Sequence, residues 1–193
     1  RRQRQMCIRD RDTSIIISGY GGQGLLFAGS LLCHAAMIEG KQTTWIPSYG
    51  AEMRGGSANC SVHISDDEVS SPIVNMSDVV FALNQPSEDK FEKRVKPGGL
   101  FIVNSSMAKI EPHRKDIEYL FIPMNEIASQ KPEPVFINVM AVGAFVQKSG
   151  ILRMESVKEA LKSMITGKKA HLLDANIASL GYGAEFVKET AKV

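Results

Sequence analysis

Ser14-Ile-Ile-Ile-Ser-Gly-Tyr-Gly-Gly-Gln-Gly24, followed by an uncharged run to Cys33, is the stretch from which the fold is read. A short β-branched strand passes straight into four glycines in six positions. Gly19, Gly21 and Gly24 keep a G-x-G-x-x-G spacing, with Gly22 as an extra. Glycine permits positive φ and removes the Cβ that would hold a ligand away from the backbone. A helix that starts at about Gly24 offers unpaired N–H groups and a partial positive charge to an anion. Gly19, Gly21, Gly22 and Gly24 would supply backbone donors there, and Gln23 an amide. A tight strand-to-helix turn that binds nothing explains the same residues equally well. The dinucleotide fingerprint also asks for an acid about 20 residues on. The second predicted strand, Lys41-Gln-Thr-Thr-Trp-Ile-Pro47, ends without one, so an ordinary NAD site loses its main support.

Outward from that strand, residues 48–58 read Ser-Tyr-Gly-Ala-Glu-Met-Arg-Gly-Gly-Ser-Ala. Tyr49, Glu52 and Arg54 are crowded between Gly50 and the pair Gly55-Gly56. In a parallel sheet this loop lies at the same carboxyl edge as the glycine turn, where open α/β sheets bind ligands and partners. Arg54 between small residues can present a planar fork to a carboxylate or phosphate. An Arg54–Glu52 pair on a solvated loop is the plainer alternative.

The rest of the chain alternates. Strands are predicted at about 13–18, 41–46, 78–83, 100–103 and 119–122. Helices are predicted at about 24–38, 84–95, 137–148, 155–165 and 169–189, the last broken at Gly181-Tyr-Gly183. Lys96-Pro-Gly-Gly99 reads as a turn. Residues 58–65 alternate apolar and polar, which marks a half-exposed antiparallel strand. The expected fold is α/β: a doubly wound, mainly parallel sheet with helices on both faces and one antiparallel excursion near 58–65. A basic tail, 1–12, precedes a single domain, 13–193.

A chain of 193 residues with 44% hydrophobic and 23% charged residues can bury one substantial core. Its net charge of +2 gives no footprint for nucleic acid. There is no run of eighteen apolar residues and no secretory h-region, so neither a membrane nor secretion is expected. Cys7, Cys33 and Cys60 form no C-x-x-C, so no iron–sulfur or zinc ligand set is visible, and a reducing cytoplasm is the natural compartment. His34, His63, His113 and His171 are scattered as structural or surface residues. No nucleophile, paired acid and base, or metal-ligand set is visible, so no residue is assigned a catalytic role.

G-Y-G-G-Q-G-L-L-F-A-G at 19–29, S-Y-G-A-E-M-R-G-G-S-A at 48–58 and N-V-M-A-V-G-A at 138–144 together resemble the gamma subunit, or gamma domain, of the 2-oxoacid:ferredoxin (acceptor) oxidoreductases. The resemblance spans roughly residues 13–185 and looks most like the 2-oxoglutarate branch, beside pyruvate and branched-chain relatives. It implies a complex that oxidatively decarboxylates a 2-oxoacid to an acyl-CoA and CO2. Thiamine diphosphate with magnesium and iron–sulfur clusters would be held by other chains, the alpha, beta and delta subunits. Ferredoxin would be an indirect partner. This chain would be architectural and inactive alone, a possible homodimer in isolation. The surface of Gly19, Gly21, Gly22, Gln23, Gly24, Tyr49, Glu52, Arg54, Gly55 and Gly56 would contact a partner or an anion, with a coenzyme A phosphate the leading candidate. A free-standing nucleotide- or anion-binding module is the alternative that keeps the glycine turn and discards the family.

Overall fold

The computed structural model describes residues 12–49, 57–69, 73–109 and 111–191. The basic residues 1–11 and the loop residues Gly50, Glu52, Arg54, Gly55 and Gly56 lie outside them. Six strands, β1 (Asp12–Tyr20), β2 (Gln42–Tyr49), β3 (Ser57–Ser65), β4 (Ser77–Ala82), β5 (Val95–Asn104) and β6 (Glu118–Ile122), form one sheet in the order β2-β3-β1-β4-β5-β6. The β1–β4, β4–β5 and β5–β6 pairs are parallel, and β3 runs antiparallel to both β1 and β2. The strand predicted near 58–65 is therefore the antiparallel excursion, and it lies between the first two predicted strands.

Four helices cover one face: α1 (Leu25–Ile38), α4 (Ile137–Ser149), α5 (Met154–Met164) and α6 (Leu173–Thr190). They bury Ile15, Ile17, Cys60, Val62, Phe81 and Ile102. The Phe81 and Phe145 rings meet edge-on at 5.6 Å. The other face is more thinly covered. There α2 (Gln85–Phe91) and its neighbouring loops pack on Ile16, Val80, Phe101 and Val103. Asn84 opens α2 by accepting the Ser87 N–H on its side chain at 2.9 Å. Burial pushes the Cys33 thiol up to about 11 and the Cys60 thiol up to about 12, so both are inert core residues.

Three local expectations are corrected. Residues 96–99 are a bulge inside β5, not a turn between elements: Val95 pairs with Ser77 and Leu100 with Val79, so four residues oppose Asp78 alone. The predicted helix at 84–95 stops at Phe91 and continues as a 3-10 turn, Glu92–Arg94. The predicted break at Gly181–Gly183 is absent, because α6 runs through it unbroken. Gly183 lies there against the Met140 carbonyl of α4, and Gly143 of α4 against the Leu180 carbonyl of α6. These glycines are where two helices touch backbone to backbone. A short helix, α3 (Met124–Ser129), adds to the expected elements.

The β5 bulge also delivers a charge. Lys96 Nζ donates to Asp78 Oδ2 at 2.8 Å, and Ser14 donates to the same oxygen through N–H at 2.9 Å and Oγ at 2.5 Å. Burial alone would raise the Asp78 carboxyl, but Lys96 and Ser14 outweigh it and hold the group below its ordinary value. A carboxyl lowered in the folded state stabilises above its unfolded pKa and loses that contribution as pH falls through the folded one. Asp78→Asn is expected to cost about 1.5 kcal/mol at pH 7, in the range for hydrogen bonds to charged groups. By pH 3 the gap to wild type should narrow in urea titrations. An equal gap at both pH values would refute the assignment.

Candidate functional site

The sheet's carboxyl edge is built by the glycine turn. After Tyr20 the chain reverses through a Gln23 N–H to Tyr20 carbonyl bond of 3.2 Å. The Gln23 side-chain carbonyl accepts the Tyr20 N–H at 2.6 Å, so that oxygen closes the turn. Positive φ falls at Gly22 (97°) and Gly24 (74°), not at Gly19 or Gly21. Gly19 is a packing glycine: a Cβ there would strike the Gln23 side chain and crowd Leu25 and Leu83. Gly24 caps α1 in the left-handed region, and the helix has no side-chain cap and no acid in its first turn. Its first intrahelical bond is Ala28 N–H to the Gly24 carbonyl at 3.1 Å, which leaves the Leu25, Leu26 and Phe27 amides without an intrahelical partner at the electropositive end.

Asn138, in the first turn of α4 and 8% exposed, donates from Nδ2 to the Gly24 carbonyl at 3.0 Å. Two motifs 114 residues apart in sequence thus meet at one point. Around it lies a cavity of about 530 Å3. Gly22, Gln23, Gly24 and Phe27 form its floor. Val135, Phe136, Ile137 and Asn138 form one wall, with Asn104, Asn125, Ile165, Lys169, Leu172 and Asn176 completing it. Lys169 is the only charged side chain among the described lining residues. The asparagines are anchored: Asn104 Nδ2 donates to Asn125 Oδ1 at 2.8 Å, and Asn176 Nδ2 to the Leu172 carbonyl at 2.8 Å. The cavity holds no carboxylate among these residues, so a concave site with amides, amide side chains and one ammonium suits an anion with an apolar portion.

Its place in the sheet is the switch point. The chain leaves β1 toward β2 and leaves β4 toward β5, in opposite directions along the sheet. Of the residues singled out by sequence, Gly22, Gln23 and Gly24 line the cavity, while Gly19 packs beneath the turn and Gly21 is not a lining residue. Tyr49 ends β2 at the same edge, since Tyr49 pairs with Ala58 and Tyr20 with Ser57. The two loops are therefore at the ends of next-but-one strands, with β3 between, and not of adjacent strands. Glu52, Arg54, Gly55 and Gly56 belong to the loop outside the described residues. Sequence reasoning missed Asn104, Asn125, Lys169 and Asn176, which carry no motif. Asn138 stood in a quoted motif without a stated contact.

Among the described residues no group of three or more His, Cys, Asp or Glu is placed to hold a metal ion. No described helix is long and apolar enough to cross a membrane.

Residues 14–186 match the family model of the pyruvate ferredoxin/flavodoxin oxidoreductases. The ketoisovalerate oxidoreductase subunit VorA of Methanothermobacter thermautotrophicus is 37% identical over 179 residues, covering 92% of this chain and 37% of its own length. The chain thus spans little more than a third of that relative. The 2-oxoglutarate synthase subunit KorC of Methanocaldococcus jannaschii is 32% identical over 179 residues, 91% of this chain and 94% of that protein. Among solved structures, the gamma subunit of a keto/oxoacid ferredoxin oxidoreductase from Geobacter sulfurreducens superposes with a TM-score of 0.80 at 29% identity, covering 92% of this chain and 97% of its own.

Proposed function

This chain belongs to the pyruvate ferredoxin/flavodoxin oxidoreductase family, and from that premise we propose that it is the gamma component of a 2-oxoacid:ferredoxin oxidoreductase. Its role there is to assemble with the catalytic chains and to hold the anionic part of coenzyme A at the glycine turn. The observation that carries this reading is the Asn138–Gly24 bond, which joins two of the resembling motifs on the floor of one anion-compatible cavity. Phe27, the one residue of the first turn of α1 that lines the cavity, could offer its amide beside the Lys169 ammonium to phosphate oxygens, and Phe136 and Ile137 suit an uncharged portion. The family chemistry uses thiamine diphosphate and iron–sulfur clusters. By the family resemblance, those groups are assigned to partner alpha, beta and delta chains. The names of the relatives divide between ketoisovalerate and 2-oxoglutarate. The proposed acyl substrate is accordingly a 2-oxoacid of one of these classes.

The test is reconstitution. The purified chain is given 2-oxoglutarate or ketoisovalerate, coenzyme A, thiamine diphosphate, magnesium and a viologen dye. No dye reduction is expected from it alone, and turnover is expected when it is co-expressed with the catalytic chains. Turnover by the lone chain, or a complex equally active without it, refutes the proposal.

A further inference from the structure

Between α3 and α4 the chain runs through Lys131-Pro-Glu-Pro-Val-Phe136. Val135, Phe136 and the adjoining Ile137 then form a wall of the cavity. Two points on α6, about one helical turn apart, fasten this segment. Ser179 Oγ accepts the Phe136 N–H at 2.9 Å while donating to the Ala175 carbonyl at 2.6 Å. The Tyr182 hydroxyl donates to the Glu133 carboxylate, and Lys131 Nζ lies 4.2 Å from the centre of the Tyr182 ring. Pro132 and Pro134 each fix one φ, so the segment is stiff and transmits a displacement along its length. Gly183, next to Tyr182, seats α6 on the Met140 carbonyl and so fixes the height of Tyr182 over α4. Lys131, Glu133 and Tyr182 do not themselves line the cavity.

From this we infer that Tyr182 is a positioning residue: it clasps the 131–136 segment to α6, and so sets the cavity wall and the first turn of α4 that presents Asn138 to Gly24. The inference rests on the reading of this cavity as the coenzyme A contact. It also gives the Gly181-Tyr-Gly183 motif a use, with Gly183 for close helix packing and Tyr182 for the clasp. Glu133 accepts with a charged carboxylate, which makes the bond stronger than a neutral pair. Losing one hydroxyl should therefore be felt locally without unfolding the helix.

Tyr182→Phe keeps the ring under Lys131 and removes the donor. Hydrogen exchange on the full chain should quicken about tenfold at the Phe136 amide, the amide that Ser179 holds to α6, as expected for one lost charge-assisted bond nearby. The α4 amides from Ala141 to Val146 should exchange as in wild type. In the reconstituted complex, the dissociation constant for coenzyme A should rise about threefold or more through lost preorganisation. Glu133→Gln, which keeps an acceptor oxygen, should fall between the two. Unchanged exchange at the Phe136 amide in Tyr182→Phe overturns the clasp. Quickened exchange with unchanged coenzyme A affinity overturns the positioning role. A wild-type complex that fails to bind coenzyme A, with exchange behaving as expected, overturns the ligand reading and the positioning role with it.

Discussion

Gly183→Ala is expected to destabilise this chain by about 3 kcal/mol, at the upper end of the cost of overpacking a filled core. The added Cβ would fall on the Met140 carbonyl oxygen, with the Ala144 nitrogen at 2.8 Å, and neither atom belongs to a side chain that could rotate away. Relief requires α4 and α6 to separate, and their interface is shared with Val139, Val142, Leu180 and Val187 of the main core. Gly143→Ala should behave alike, since its Cβ meets the Leu180 carbonyl. Gly181→Ala is the control. Nothing lies within 4 Å of its Cβ, and replacing a mid-helix glycine with alanine gains about 0.5–1 kcal/mol. Urea unfolding followed by circular dichroism separates the three. Natural domains hold only about 5–15 kcal/mol in reserve, so the first two variants should show clearly lowered midpoints. If Gly183→Ala unfolds with wild type, the backbone approach of α4 to α6 is wrong.

The same glycines show what periodicity can and cannot convey. Gly181-Tyr-Gly183 reads as a helix break because glycine weakens isolated helices. Packing against α4 outweighs that local cost and makes Gly183 necessary where propensity makes it unfavourable. Lys96-Pro-Gly-Gly99 reads as a turn by composition. Composition does not say that the strand resumes in register on the same neighbour, which depends on the β4 partner. By contrast, the strand-turn-helix at 14–38 was legible from its glycine spacing and the antiparallel strand at 58–65 from its alternation, although no residue of 58–65 is exposed where half-exposure was expected, because β3 lies inside the sheet. Strand order was less so. Nothing in residues 57–65 states that they insert between β1 and β2.

The candidate site divides in the same way. Gly22, Gln23 and Gly24 were legible because a tight turn demands particular residue types at fixed spacing. Asn104, Asn125, Lys169 and Asn176 arrive from the end of β5, α3, a 3-10 turn (Gly167–Leu172) and α6. Isolated asparagines have no spacing signature, and their convergence is a property of the sheet topology alone.

Gly24→Ala carries the second large expected effect, on coenzyme A and not chiefly on folding. At φ 74° an alanine is strained by about 1–2 kcal/mol. Its Cβ would also lie 2.6 Å from Asn138 Nδ2 and 3.0 Å from Cγ, so the side chain that fixes α4 to the turn must move. Both changes act on the amides proposed to receive the anion. The KM for coenzyme A in the reconstituted complex should therefore rise about tenfold or more, as for a lost hydrogen bond to a charged group. Asn138→Ala should raise it by a similar factor. The double variant should be far from additive, because both substitutions break one contact. Arg54→Ala tests whether the neighbouring loop shares the same anion. If it does, its loss should raise KM about tenfold on its own and combine less than multiplicatively with Gly24→Ala, because both would act on one bound anion. If Arg54→Ala leaves both assembly and KM unchanged, residues 50–56 are a solvated connection and the turn holds the anion without them. Unchanged KM in Gly24→Ala would remove the turn from ligand binding altogether and leave it as a joint between β1, α1 and α4.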